Sequence, residues 1–125
     1  MVVNQWLKRM SRALAGVSGG FYGSGTAVTQ LTSRTTGVTA NATSGAITLF
    51  AATGSATAAS FTVTNSSVAI TDTINLSCRS STTNKYVAVI SAVAAGSFEV
   101  TFFTTGGTTS DSPVFNFVVL KGNAA

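Results

Sequence analysis

The stretch from Lys85 to Lys121 most constrains what this chain can fold into. Lys85–Val93 and Ser97–Phe103 are β-branched and aromatic runs, separated by the short connection Ala94-Ala95-Gly96. That arrangement predicts a β-hairpin. After a Gly/Thr/Ser loop comes Pro113-Val114-Phe115-Asn116-Phe117-Val118-Val119-Leu120-Lys121, apolar at successive positions. Such a strand is usually held between two layers, either of one domain or of two subunits. Alternation places Phe115, Phe117 and Val119 on one face, and Val114, Val118 and Leu120 with Asn116 on the other. Phe103 shares the side of its strand that carries Glu99 and Thr101. Either the last strand is central in a sandwich, or one of its faces packs across a homo-oligomer interface. The second reading names Phe103, Phe115 and Phe117 as interface residues.

The remaining residues extend this β pattern. Strand candidates fall at Thr26–Leu31, Ala46–Phe50, Ala59–Thr64, Thr73–Arg79, Tyr86–Val93, Ser97–Phe103 and Val114–Lys121, with Val38–Asn41 as a short eighth. Turn-rich pieces such as Thr53-Gly54-Ser55 and Asn65-Ser66-Ser67 separate them. Short strands at this spacing predict an all-β sandwich or barrel. A chain of 125 residues supports one such core, burying roughly two-thirds of its unfolded surface. Ile74, Leu76 and Cys78 share a face, so Cys78 is expected to be a small buried hydrophobe. It is the only cysteine, which excludes an intrachain disulfide and a thiolate cluster.

Residues 1–15 are of a different character. Val3, Trp6, Leu7, Met10 and Leu14 line one face of a helix, with Lys8, Arg9 and Arg12 elsewhere on it. Two readings fit: a short helix or frayed terminus belonging to the body, or a docking arm whose apolar stripe binds a neighbouring protein. Residues 16–25 carry five glycines between Gly16 and Gly25 and read as a linker, leaving residues 26–125 as the body. The linker lacks the Gly-Lys-Ser/Thr ending of a phosphate loop.

Charge sharpens the division. Charged residues make up 8% of the chain, against about a quarter in ordinary domains. Three of the seven basic residues lie before Ala13, and from there on four basic face three acidic, leaving +1. A nearly neutral body is not built to bind nucleic acid. No apolar run approaches the roughly 18 to 20 residues that cross a bilayer.

Histidine is absent, which removes the usual general base, Ser-His and Cys-His nucleophile pairs, and the commonest transition-metal ligand. Asp72, Glu99 and Asp111 are the only side-chain carboxylates, and none sits in a calcium-loop or paired-carboxylate context. The sequence therefore predicts neither catalysis, nor a cofactor, nor a metal site.

Several runs carry a resemblance: Gly25–Thr39 (GTAVTQLTSRTTGVT), Ser44–Leu49 (SGAITL), Ala59–Ser66 (ASFTVTNS), Ala94–Phe98 (AAGSF) and Pro113–Phe117 (PVFNF). In their order and spacing they resemble small virion proteins of tailed bacteriophages, of the head cement or decoration type. The resemblance spans about Gly25–Lys121. It implies a jelly-roll-like antiparallel sandwich on the outside of a phage head, as a trimer or dimer, made in the host cytoplasm. Its partner would be the major capsid protein, and no nucleic acid or membrane is expected. The arm residues Trp6, Leu7, Lys8, Arg9, Met10, Arg12 and Leu14 are then candidates for contact with the shell. A rival class is a receptor- or glycan-binding module of a tail fibre or head appendage, for which Tyr86 beside Asn84 is the candidate aromatic–amide pair.

Overall fold

The computed structural model describes residues 25–79, 83–106 and 109–122. Ten strands follow in chain order: β1 (Thr26–Thr29), β2 (Val38–Thr39), β3 (Ser44–Thr48), β4 (Ala52–Thr53), β5 (Ala59–Thr64), β6 (Thr73–Cys78), β7 (Lys85–Ala94), β8 (Ser97–Thr105), β9 (Ser110–Asp111) and β10 (Val114–Leu120). There is no helix among the described residues. One sheet has the order β1-β3-β10-β6, a second has β2-β5-β8-β7, and β4 pairs with β9. The two larger sheets face each other, so the chain is the all-β sandwich that its pattern predicts.

Pairing departs from the expectation at two places. The strands were expected to be antiparallel throughout, but β1 runs parallel to β3 and β2 runs parallel to β5. Parallel neighbours need a long crossover. Here the crossover is the opposite sheet: residues 30–43 leave β1, pass through β2 in the other layer and return as β3. The β7–β8 hairpin is antiparallel as expected, and Ala95-Gly96 connects it. Gly96 has φ +81°, a backbone region that glycine enters without steric cost.

Aromatic rings bring the sheets together. Phe98 of β8 meets Phe117 of β10 at 5.4 Å between centroids, and Phe102 meets Phe115 at 5.9 Å. Phe61 of β5 packs edge-on to Phe102 at 6.0 Å. Such pairs contribute about 0.5 to 1.5 kcal/mol each beyond the area they bury. Ile47, Val63, Val100 and Val119 fill the space around the rings. Alternation therefore assigns the inward face correctly on β5 and β8, and on β10 it groups Phe115, Phe117 and Val119 on what is the inward side.

It fails for Cys78, which is exposed rather than buried. Cys78 ends β6, the edge strand of its sheet, and inward burial along β6 fades from Ile74 through Leu76 before reaching it. The strands β4 and β9 carry no periodicity in sequence because each is only two residues long.

Gly45 of β3 stands opposite Phe117 in the ladder. A Cβ there would lie 2.6 Å from the Thr26 carbonyl oxygen and 2.7 Å from the Phe117 ring. Gly45→Ala should therefore destabilise the body by about 1 to 3 kcal/mol through overpacking. Phe117→Ala, which empties the same place, should cost about 3 to 5 kcal/mol. Denaturant unfolding measures both, and a Gly45→Ala body as stable as the native one would mean that ring and strand are not in this contact.

Candidate interaction surface

Of the three expected interface residues, only Phe103 reaches an outer face. Phe115 and Phe117 are 0% and 1% exposed, which corrects their assignment to a subunit interface. Their rings point at β8 across the sandwich, and the opposite face of β10 turns outward, with Asn116 and Val118 half-buried and Leu120 38% exposed. Trp6, Leu7, Lys8, Arg9, Met10, Arg12 and Leu14 lie outside the described residues, as do residues 16–24 of the linker.

Phe103 belongs to the outer face of β5, β8 and β7. The antiparallel register sets Val87 opposite Phe103 and Val89 opposite Thr101, and opposed residues share a face. Phe103 is half-buried, while Val87 and Val89 are 40% and 53% exposed. Beside these apolar groups runs a chain of hydroxyls. Ser60 and Thr101 are 2.7 Å apart, Thr101 donates to Ser91 Oγ at 2.8 Å, and Ser91 donates to Glu99 Oε1 at 2.7 Å. Ser91 follows Val87 and Val89 on the outer face, and the register shift between Ile90 and Ala92 sets Ala92 beside it on that face, opposite Glu99.

Glu99 is the one carboxylate on this face, because the other two hold the fold together. Asp111 belongs to a cluster at one end of the sandwich. There Arg34 Nε donates to the Phe50 carbonyl at 2.9 Å and Nη1 to Tyr86 Oη at 2.9 Å. Arg34 Nη2 donates to the carbonyls of Ala52 at 2.6 Å and Asp111 at 2.5 Å. The guanidinium also lies 5.5 Å from the centre of the Tyr86 ring. Tyr86 Oη donates to Asp111 Oδ1, and the Asn84 main-chain N–H donates to Oδ2 at 3.3 Å. Partial burial pushes the Asp111 carboxyl up, but hydrogen bonds from Tyr86 and Asn84 and the Arg34 charge outweigh it, holding it below the usual range. Burial, and then the bond to Asp111, raise the Tyr86 phenol.

Asp72 fastens the residues that follow β10. Its Oδ2 accepts from Lys121 Nζ at 2.5 Å and from the Ala69 N–H at 2.8 Å, and Oδ1 accepts from the Gly122 N–H at 2.9 Å. These bonds, that from Lys121 foremost, lower its pKa to about 2.

Tyr86 and Asn84, the candidate glycan-binding pair, are part of the Arg34 cluster. Asn84 is 1% exposed, and its side-chain amide donates to the Thr109 carbonyl at 2.5 Å. Sequence spacing does not show this, because Arg34, Tyr86 and Asp111 come together only through the crossover between sheets. Among the described residues no three Cys, Asp or Glu side chains cluster as metal ligands. No protein-family model, curated protein or solved structure matches the chain.

Two outcomes follow from the structural carboxylates. Arg34→Lys cannot reproduce the planar fork that serves four acceptors, so it should destabilise the body nearly as much as Arg34→Met, on the order of 3 kcal/mol by denaturant unfolding. For Asp72 the folded pKa of about 2 lies below the unfolded value of 3.8. Its contribution is therefore complete above about pH 4 and is lost as pH falls through about 2. Unfolding measured across that range should show a shallower acid loss for Asp72→Asn than for the native chain. Identical acid profiles would refute the Lys121–Asp72 contact.

Proposed function

We propose that this chain is a cement or decoration protein of a tailed-phage head, bound outside the shell and bridging neighbouring major capsid subunits. The sequence resemblance supports the class. The observation that carries the reading is the outer face of β5, β8 and β7, where exposed valines and half-buried Phe103 lie beside linked Ser and Thr hydroxyls. Methyl groups, an aromatic edge and hydroxyls make a surface suited to being covered by protein, since little charge must be desolvated there.

The mechanism is passive. A homo-oligomer of such bodies, trimer or dimer, offers several weak contacts to the shell at once, and linkage raises their effective concentration. The arm at residues 1–15 adds a second kind of contact: Trp6, Leu7, Met10 and Leu14 supply apolar anchors, and Lys8, Arg9 and Arg12 supply a salt-sensitive attraction to acidic groups. A short helix behind a glycine linker is ordered only when a partner covers it.

Retention on purified heads that lack this protein tests the reading. The full chain should be retained, and deletion of residues 1–15 should leave a folded, oligomeric body that is held more weakly at low salt and whose retention depends less on salt. Trp6→Ala should weaken retention by roughly thirtyfold, the equivalent of about 2 kcal/mol for a buried interface tryptophan. Co-purification of the full chain with tails and not heads would contradict the proposal.

A further inference from the structure

We infer that the free edge of β7 pairs antiparallel with β7 of a second copy across a two-fold axis near Ala88, joining two sheets into one. The inference rests on the homo-oligomer part of the proposed function and not on its capsid partner.

The edge itself is the first observation. β7 ends the order β2-β5-β8-β7, so one side of a ten-residue strand lacks a neighbour within its sheet. Natural sheets blunt such edges with prolines, charges, bulges or short strands. In β7 the one charge, Lys85, stands at the start and the bulge lies beyond Ile90, so Tyr86–Ile90 carries none of these devices. The core is also less fully covered along this edge. Inward-facing Phe98, Val100 and Phe102 of β8 are 0 to 3% exposed, whereas Tyr86, Ala88, Ile90 and Val93 of β7 are only half-buried.

Charge placement identifies the occupant as another copy. Among the described residues the ion pairs are Arg34–Asp111 and Lys121–Asp72, so neither Lys85 nor Glu99 meets an opposite charge among them. Both belong to the same outer face, at opposite ends: Lys85 pairs with Thr105 at the start of β7, and Glu99 pairs with Ala92 near its end. An antiparallel partner reverses that order. With Ala88 opposite its own counterpart, Val87 faces the second copy's Val89, and Lys85 faces the second copy's Ser91. Ser91 is the hydroxyl that holds Glu99. Lys85 and the second copy's Glu99 are then two strand spacings apart, roughly 10 Å at the backbone, within the joint reach of the two side chains. The symmetry makes the contact twice. The Val87–Val89 pairs continue the apolar strip from Phe103 of one copy to Phe103 of the other. A two-fold closes this pairing on itself, so the copy number is two.

Light scattering of the purified full chain over a concentration series tests the inference, with circular dichroism confirming that each variant folds. The native chain should form a dimer. Lys85→Glu and Glu99→Lys should each weaken it by about tenfold or more, since an exposed pair is worth up to about fivefold and occurs twice. The double exchange, Lys85→Glu with Glu99→Lys, should restore it. Val89→Lys, at an exposed position in the middle of the edge, should give a monomer. A native monomer at high micromolar concentration would overturn both this pairing and the homo-oligomer reading. A trimer indifferent to Lys85→Glu and Val89→Lys would overturn the β7 edge alone and leave the homo-oligomer reading standing. Single variants that weaken the dimer without recovery in the double exchange would overturn the register.

Discussion

The contact between the β8 and β10 phenylalanines governs the rest of this molecule. Phe98 against Phe117 and Phe102 against Phe115 set how the two sheets lie on each other. Phe115 and Phe117 arrive on the last strand of the chain, which inserts between β3 and β6. The first sheet is therefore incomplete until the C-terminal strand is in place. Its pairings of Phe117 with Gly45 and with Leu76 join residues far apart in sequence. Folding of such a sandwich is slow and cooperative, because loop closure precedes the contacts that reward it.

Charge follows from the same economy of means. The body has four basic and three acidic side chains from Ala13 onward. Arg34 with Asp111 ties the loop after β1 to β4, β7 and β9, while Lys121 with Asp72 fastens the residues that follow β10 to the turn before β6. With those four committed to the fold, the outer surfaces are largely hydroxyl and methyl. A surface of that kind loses little on being covered. The proposed role in an assembly and the scarcity of charge thus have one physical origin.

Much of the fold was legible in the sequence. Period-two alternation located the inward faces of β5 and β8, and Ala95-Gly96 marked the hairpin. What misled was the doubly apolar run from Val114 to Leu120. A core strand and an interface strand carry the same local pattern, and only the facing β8, whose Phe98 and Phe102 cover Phe117 and Phe115, separates the two. The parallel pairings were illegible because they depend on which layer the chain enters after Thr29, a choice made by tertiary contacts rather than by local propensity. The polar cluster was hidden for the same reason. Nothing near Arg34 in sequence announces Tyr86 or Asp111. The outer-face group of Val87, Val89, Glu99 and Ser91 needed the register, bulge included, before its residues could be placed together.

The claim at the centre is that the body meets its own kind through the β7 edge and the face beside it. Amide hydrogen exchange, read residue by residue in dilute and in concentrated solution, tests it most directly. In dilute solution the β7 amides that point away from β8 should exchange quickly. At high concentration those amides should become protected in proportion to association, while β10 amides stay protected throughout. Exchange along β7 that ignores concentration, or protection that appears at β1 instead, would contradict it.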